Sequence, residues 1–178
     1  RFIKQYTKEN QFKNVETPDL KKTIEETTGQ NMDWFFQQWV YEPGFPEYDV
    51  SWKYNQRNKT IKLTVKQIQK NPNIFKMPIQ IQIDNQKHSI WIEDREMIYE
   101  IHADNRPEMV IFNAGMRVPC KLNFNKSISE WIVQLENGPH ILDRIAAAKE
   151  LSTKKGRRKV EKALLNAARN DPFWGVRK

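Results

Sequence analysis

Between Pro43 and Pro46 the hydrophobic period of this chain changes from about 3.6 residues to two, and that change limits the folds open to it. Upstream, Asn31 is placed to cap a helix whose apolar side gathers Trp34, Phe35, Trp39 and Val40 on one broad face. Pro43, Gly44 and Pro46 end that helix, because glycine accepts positive φ and proline lacks a backbone donor. Tyr48, Val50 and Trp52 then alternate as in a first strand.

The alternation continues to about Phe124. Ile61, Leu63 and Val65 interleave with Lys62, Thr64 and Lys66, and Ile79, Ile81 and Ile83 interleave with Gln80, Gln82 and Asp84. Each such strand puts one face on a core and the other in water, which is antiparallel behaviour. Further strands are expected at 89–92, 97–102, 109–113 and 121–124. Polar, Pro-bearing or Gly-bearing breaks fall at 56–59, 70–73, 84–87, 104–107 and 113–115. Six or seven short strands without intervening helices predict a two-sheet antiparallel β-sandwich.

Helices flank it. Residues 1–13 read as the end of one helix. Thr17-Pro18-Asp19 reads as the start of a second, with Thr17 as cap, Leu20 and Ile24 on one face and a stop near Gly29. After the strands, Ser127 and Glu130 form a capping box ahead of Ile128, Trp131, Ile132 and Leu135. Gly138-Pro139 breaks the chain before a helix with Ile141, Ile145 and Ala148 on one face, and Gly156 precedes a last helix carrying Val160, Leu164 and Ala167. Short helices joined by short breaks suit the start of a stacked, repeat-like helical array.

The order of several short motifs resembles the gluzincin aminopeptidases, the M1-like zinc enzymes related to aminopeptidase N and leukotriene A4 hydrolase. Thr17-x-Asp19-Leu20, Gly29, then Phe35-Phe36-x-Gln38-Trp39 and Gly44-x-Pro46 resemble the junction between their catalytic and β-sandwich domains. Gln67 and Gln69, and Phe75-x-x-Pro78-Ile79-x-Ile81, resemble segments of the sandwich, and the stretch from Val110 to Phe124 fits its end. Asp143, Ala147, Ala148 and Leu151 resemble the opening of the carboxy-terminal helical domain. Asp171-Pro172-Phe173-Trp174-Gly175 resembles the segment that continues it.

The resemblance covers nearly the whole chain. It implies catalytic-domain helices at 1–46, a β-sandwich at 47–126 and the beginning of a helical domain at 127–178. It also implies a parent that binds zinc and hydrolyses peptides through metal-activated water, with its catalytic domain and further helical domain as the partners of this portion.

The reacting groups of that family are absent. There is no His-Glu-x-x-His, in which two histidines one helical turn apart bind the metal and the glutamate activates water, and no glycine-rich exopeptidase motif. Arg1 stands where an initiator Met would, which suggests an excised piece. The expectation is therefore a non-catalytic carboxy-terminal fragment of a zinc aminopeptidase. The alternative is a protein-binding or scaffold module from a relative without peptidase activity.

The remaining candidates are weak. His88, His102 and His140 are far apart in sequence and suit surface or hydrogen-bonding roles. The one cysteine, Cys120, excludes an internal disulfide and reads as a buried thiol beside a turn. Glu9, Glu16, Glu25 and Glu26 fit solvated helix faces rather than a glycosidase pair. A net charge of +8 permits an anionic partner, but the run Lys154-Lys155-Gly156-Arg157-Arg158-Lys159 reads as an exposed helix start, and no nucleic acid is expected. No apolar run is long enough for a membrane span. No catalytic, cofactor-binding or metal residue is assigned.

Overall fold

The computed structural model describes residues 2–70, 73–154 and 156–178. Arg1, the Asn71-Pro72 part of the expected break at 70–73, and Lys155 of the basic run lie outside the described residues. The chain divides into two compact units, Arg1–Gly44 and Phe45–Lys178.

The first unit is helical. α1 spans Phe2–Glu9 and α2 spans Thr17–Thr28. α1 is shorter than expected, since Phe12 takes a left-handed φ of 63° and stands fully in solvent. The cap of α2 lies one residue before the expected one: Glu16 is the capping position, its N–H donating to Asp19 Oδ2 at 2.8 Å, so Thr17 is already helical. Gly29 closes α2 at φ 69°, donating to the Glu25 carbonyl, as its position suggests. α3, Asp33–Phe36, begins where Asn31 Oδ1 accepts from the Asp33 N–H at 2.8 Å. It runs into one wide π turn at Gln37–Tyr41. That extra residue per turn rotates the following side chains, and the expected face is corrected: Phe36 and Gln38 are buried, while Val40 is exposed.

The second unit begins with seven strands: β1 Glu47–Asn55, β2 Thr60–Gln67, β3 Met77–Ile83, β4 Gln86–Ile92, β5 Glu96–His102, β6 Val110–Phe112 and β7 Lys121–Phe124. They form two sheets, β5-β2-β1-β7 and β4-β3-β6. All pairs are antiparallel except β1 with β7, which run parallel from Glu47 opposite Lys121 to Val50 opposite Phe124. Ile61, Leu63 and Val65 from one sheet and Ile79, Ile81 and Ile83 from the other are all buried, as period two requires. The Tyr48 ring meets Phe112 of the opposite sheet edge-on, with centroids 5.2 Å apart, so the layers pack face to face.

Four helices follow: α4 Ile128–Asn137, α5 Ile141–Ser152, α6 Arg158–Asn170 and α7 Trp174–Arg177. The Ser127/Glu130 capping box forms, and Glu130 also accepts from Trp52 Nε1 of β1 at 2.9 Å, fastening α4 to the sandwich. Leu135, Ala147, Leu151, Val160, Ala163, Ala167 and Val176 make a separate helical core. On α5 the expected Ile145 and Ala148 pack against this core, but Ile141 is exposed, and Asp143, Ala147 and Leu151 are the fully buried positions. The fold is thus helices, an antiparallel-rich β-sandwich, then helices, and among the described residues no helix is long and apolar enough to cross a membrane.

Candidate functional site

The residues singled out from sequence do not converge. His88 lies in β4 opposite Ile81, His102 ends β5 with its Nε2 3.6 Å from Asp104 Oδ1, and His140 precedes α5. The His140 ring packs so close to Gly115, at φ 75°, that a Cβ there would come within 3.2 Å of it. Among the described residues no three of His, Cys, Asp and Glu meet as a metal requires, so they offer no ligand set for the zinc that the resemblance implies. Cys120 is half-buried beside Asn113 Nδ2, 3.4 Å away, and burial pushes its thiol up, away from a reactive thiolate. Glu9 accepts from Gln5 and Glu25 accepts from the Met32 N–H, ordinary helix-surface roles. Gly156, Arg157, Arg158 and Lys159 are exposed, and Lys154 pairs with Glu150 one turn back at 2.9 Å.

Gln67 and Gln69 are buried and structural. Gln67 Nε2 donates to the Phe75 and Asp94 carbonyls while its Oε1 accepts from the Phe75 N–H and from Gln69 Nε2. Gln69 in turn donates to the Asn73 carbonyl and accepts from the Glu47 N–H. Two primary amides therefore serve backbone groups of Glu47, Asn73, Phe75 and Asp94.

A cluster of buried polar and charged groups lies where the sandwich meets α4 and α5. Lys126 follows β7 and is 8% exposed. Its Nζ donates to Gln134 Oε1 of α4 at 2.6 Å and sits 4.5 Å from the Phe124 ring centroid and 4.7 Å from that of Trp131. Gln134 Nε2 passes the connection to the Asp143 carbonyl of α5 at 2.8 Å. Asp143 is 2% exposed; its Oδ1 accepts from the Gly115 N–H at 2.9 Å, and its Oδ2 is buried without a partner. Burial pushes the Lys126 ammonium down to about 7 against the opposing pull of Glu130 and Asp143. Burial pushes the Asp143 carboxyl up, against the Gly115 N–H, His140, Lys126 and Arg144.

Lys126, Gln134 and Asp143 line a cavity of about 220 Å³ whose other walls include Ile111, Val118, Phe124 and Trp131. Met116 and Leu122, both substantially exposed, stand at its rim. Sequence reasoning missed this cluster, because nothing in the local pattern marks Lys126, one residue before a helix cap, as buried.

This succession of helices, a two-sheet sandwich and a second helical set defines an aminopeptidase-like fold. The chain superimposes on the crystal structure of Legionella pneumophila aminopeptidase A in complex with aspartic acid with a TM-score of 0.79 at 18% identity. The match covers 98% of this chain and 23% of that one, so the chain spans about a quarter of the aminopeptidase's length. No family model matches the chain, and no curated protein matches it in sequence.

Proposed function

We propose that this chain is a non-catalytic, carboxy-terminal portion of a zinc-dependent aminopeptidase of the gluzincin, M1-like type. The observation that carries this reading is the extent of the structural match: almost all of this chain aligns with under a quarter of an aminopeptidase. Residues 1–46 are then the last helices of a catalytic domain, 47–126 the sandwich, and 127–178 the opening of a helical domain. The parent binds zinc and cleaves peptides; this portion supplies rigid wall rather than reacting groups. Its partners are the catalytic domain and the rest of the helical domain.

The complete reading frame that encodes the chain tests this. His-Glu-x-x-His upstream, followed by a further glutamate, is the expected finding. A frame with a peptidase-like domain in which those ligands are replaced would move the protein to the scaffold class. A frame with no such domain would overturn the reading.

A further inference from the structure

We propose that the free edge of β5 joins two copies of this chain, strand against antiparallel strand, about a two-fold axis at Tyr99. β5 ends the sheet order β5-β2-β1-β7, and among the described residues no strand lies on its other side. Its register with β2 runs from Thr60 opposite His102 to Lys66 opposite Glu96. At the two ends of that ladder the Ala103 N–H donates to the Lys59 carbonyl at 2.9 Å, and the Gln67 N–H donates to the Arg95 carbonyl at 2.7 Å. Both bonds join directly opposite residues, so the hydrogen-bonded pairs fall on the odd-numbered positions, and Met97, Tyr99 and Ile101 turn their backbone groups toward β2. Glu96, Ile98, Glu100 and His102 therefore turn theirs to the open side.

The side chains show the same opening. Ile61, Leu63 and Val65 of β2 are at most 1% exposed, whereas Ile101, Tyr99 and Met97, opposite them in β5, are only half-buried. Ile98, on the outer face, is 51% exposed. A strand laid along β5 uses the free backbone groups and carries the core layer past Met97, Tyr99 and Ile101.

The sequence of β5 selects a second copy as that strand. Even-numbered residues must face even-numbered residues, and like charges directly opposite one another are unfavourable. Turning the strand about Ile98 sets Glu96 against Glu100 twice, and turning it about Glu100 sets that glutamate against itself. Turning it about Tyr99 overlaps all of Glu96–His102: Glu96 faces His102, Ile98 faces Glu100, Met97 faces Ile101, and no like charges meet. Within each copy Glu96 already meets Lys66 at 2.9 Å and His102 Nε2 stands 3.6 Å from Asp104 Oδ1, so these groups form a mixed-charge row across the seam. Such a contact is isologous and closes at two copies. It lies wholly in this chain and does not rest on the aminopeptidase reading.

Sedimentation equilibrium of the chain over about 5–500 µM tests the assignment, since a contact of seven residues is small and a dissociation constant of roughly 10–100 µM is expected. The mean mass is expected to rise toward that of two chains and stop there. Glu100→Pro removes an N–H that only a partner strand would use, and an edge strand tolerates proline where its N–H faces outward. This variant is expected to keep the melting temperature of the dilute wild type and to stay single. Two substitutions at exposed Ile98 read the register without touching the core. Ile98→Lys sets a cation opposite the second copy's Glu100 at two places and is expected to tighten the dimer by about threefold or more; Ile98→Glu is expected to weaken it by a similar factor. A chain that stays single up to the highest concentration would overturn the proposal and leave the edge to a foreign strand. So would a dimer that survives in folded Glu100→Pro, a dimer weakened by Ile98→Lys, or growth beyond two copies.

Discussion

Replacing Arg144 with methionine is expected to destabilise the Phe45–Lys178 unit by about 3–5 kcal/mol, the cost of stranding a buried charge without its partner. Arg144 Nε and Nη2 reach the two carboxylate oxygens of Asp171 at 2.7 and 3.2 Å, and Nη1 donates to the Gly138 carbonyl at 3.0 Å. Both side chains are largely sheltered, 12% and 6% exposed, so solvent does not screen the pair as it does at a surface. Asp171 also accepts from the Phe173 N–H, and its carbonyl accepts from Arg177, so one aspartate ties α5 to the turn between α6 and α7. Burial alone raises the Asp171 carboxyl, but the Arg144 and Phe173 hydrogen bonds outweigh it and hold the group below its usual range.

In Arg144→Met that carboxylate keeps its burial and loses its cation. Guanidinium unfolding of the single variant and of Arg144→Met/Asp171→Leu separates the effects. The double variant is expected to recover most of the loss, since an apolar pair can replace a buried ion pair at little cost. A single-variant loss under about 1 kcal/mol would place this pair with screened surface bridges.

The second large effect is a dependence of stability on pH that runs through Lys126. Its folded value is about 7 and its ordinary value 10.5. Between those limits the unfolded chain holds a proton that the folded chain has released, so stability rises with pH across the window. One proton changes stability by at most about 1.4 kcal/mol per pH unit, and from pH 7 to 9 the gain is roughly 2 kcal/mol.

The neighbouring acids work in the opposite sense. Asp143, raised by burial, makes stability fall as pH rises from 3.8 through its folded value. Cys120, raised by burial from 9.0, and Tyr48 and Tyr99, raised by burial from 10.0, do the same as pH climbs through those ordinary values, where the unfolded chain ionises first, so the rise is read between pH 7 and 9. The other groups facing Lys126 are Glu130, which opposes the burial, the Gln134 amide, and the Phe124 and Trp131 rings. Urea unfolding at pH 7, 8 and 9 is expected to show the rise in the wild type and its loss in Lys126→Met. An equal rise in the variant would assign it to another group.

Local pattern carries the sandwich well. Ile61-x-Leu63-x-Val65 buries one residue in two, because the pleat fixes where successive side chains point, and Ile79, Ile81 and Ile83 share one buried face although Gln82 between them is also buried. The Ser127/Glu130 box is equally legible, since a cap is satisfied within four residues. What escapes the sequence depends on partners distant in the chain. The parallel pairing of β7 with β1 joins residues more than seventy positions apart. The π turn at Gln37–Tyr41 leaves no mark in the hydrophobic spacing, yet it moves Val40 from the expected core face into solvent.

The candidate site is the clearest case. Lys126, Gln134 and Asp143 are ordinary surface residues by type, and their burial comes from two helices closing over the end of a strand. The resemblance drawn from Phe35-Phe36-x-Gln38-Trp39 and the later motifs agrees with an aminopeptidase-like fold, while saying nothing of this cavity.

Hydrolysis of aminoacyl p-nitroanilides by the purified chain, with zinc supplied and with a chelator added, tests most directly whether the protein is wall rather than catalyst. No turnover above the uncatalysed rate is expected under either condition, with the chain folded throughout. Saturable hydrolysis that is abolished by the chelator, restored by zinc and proportional to the concentration of this chain would contradict it.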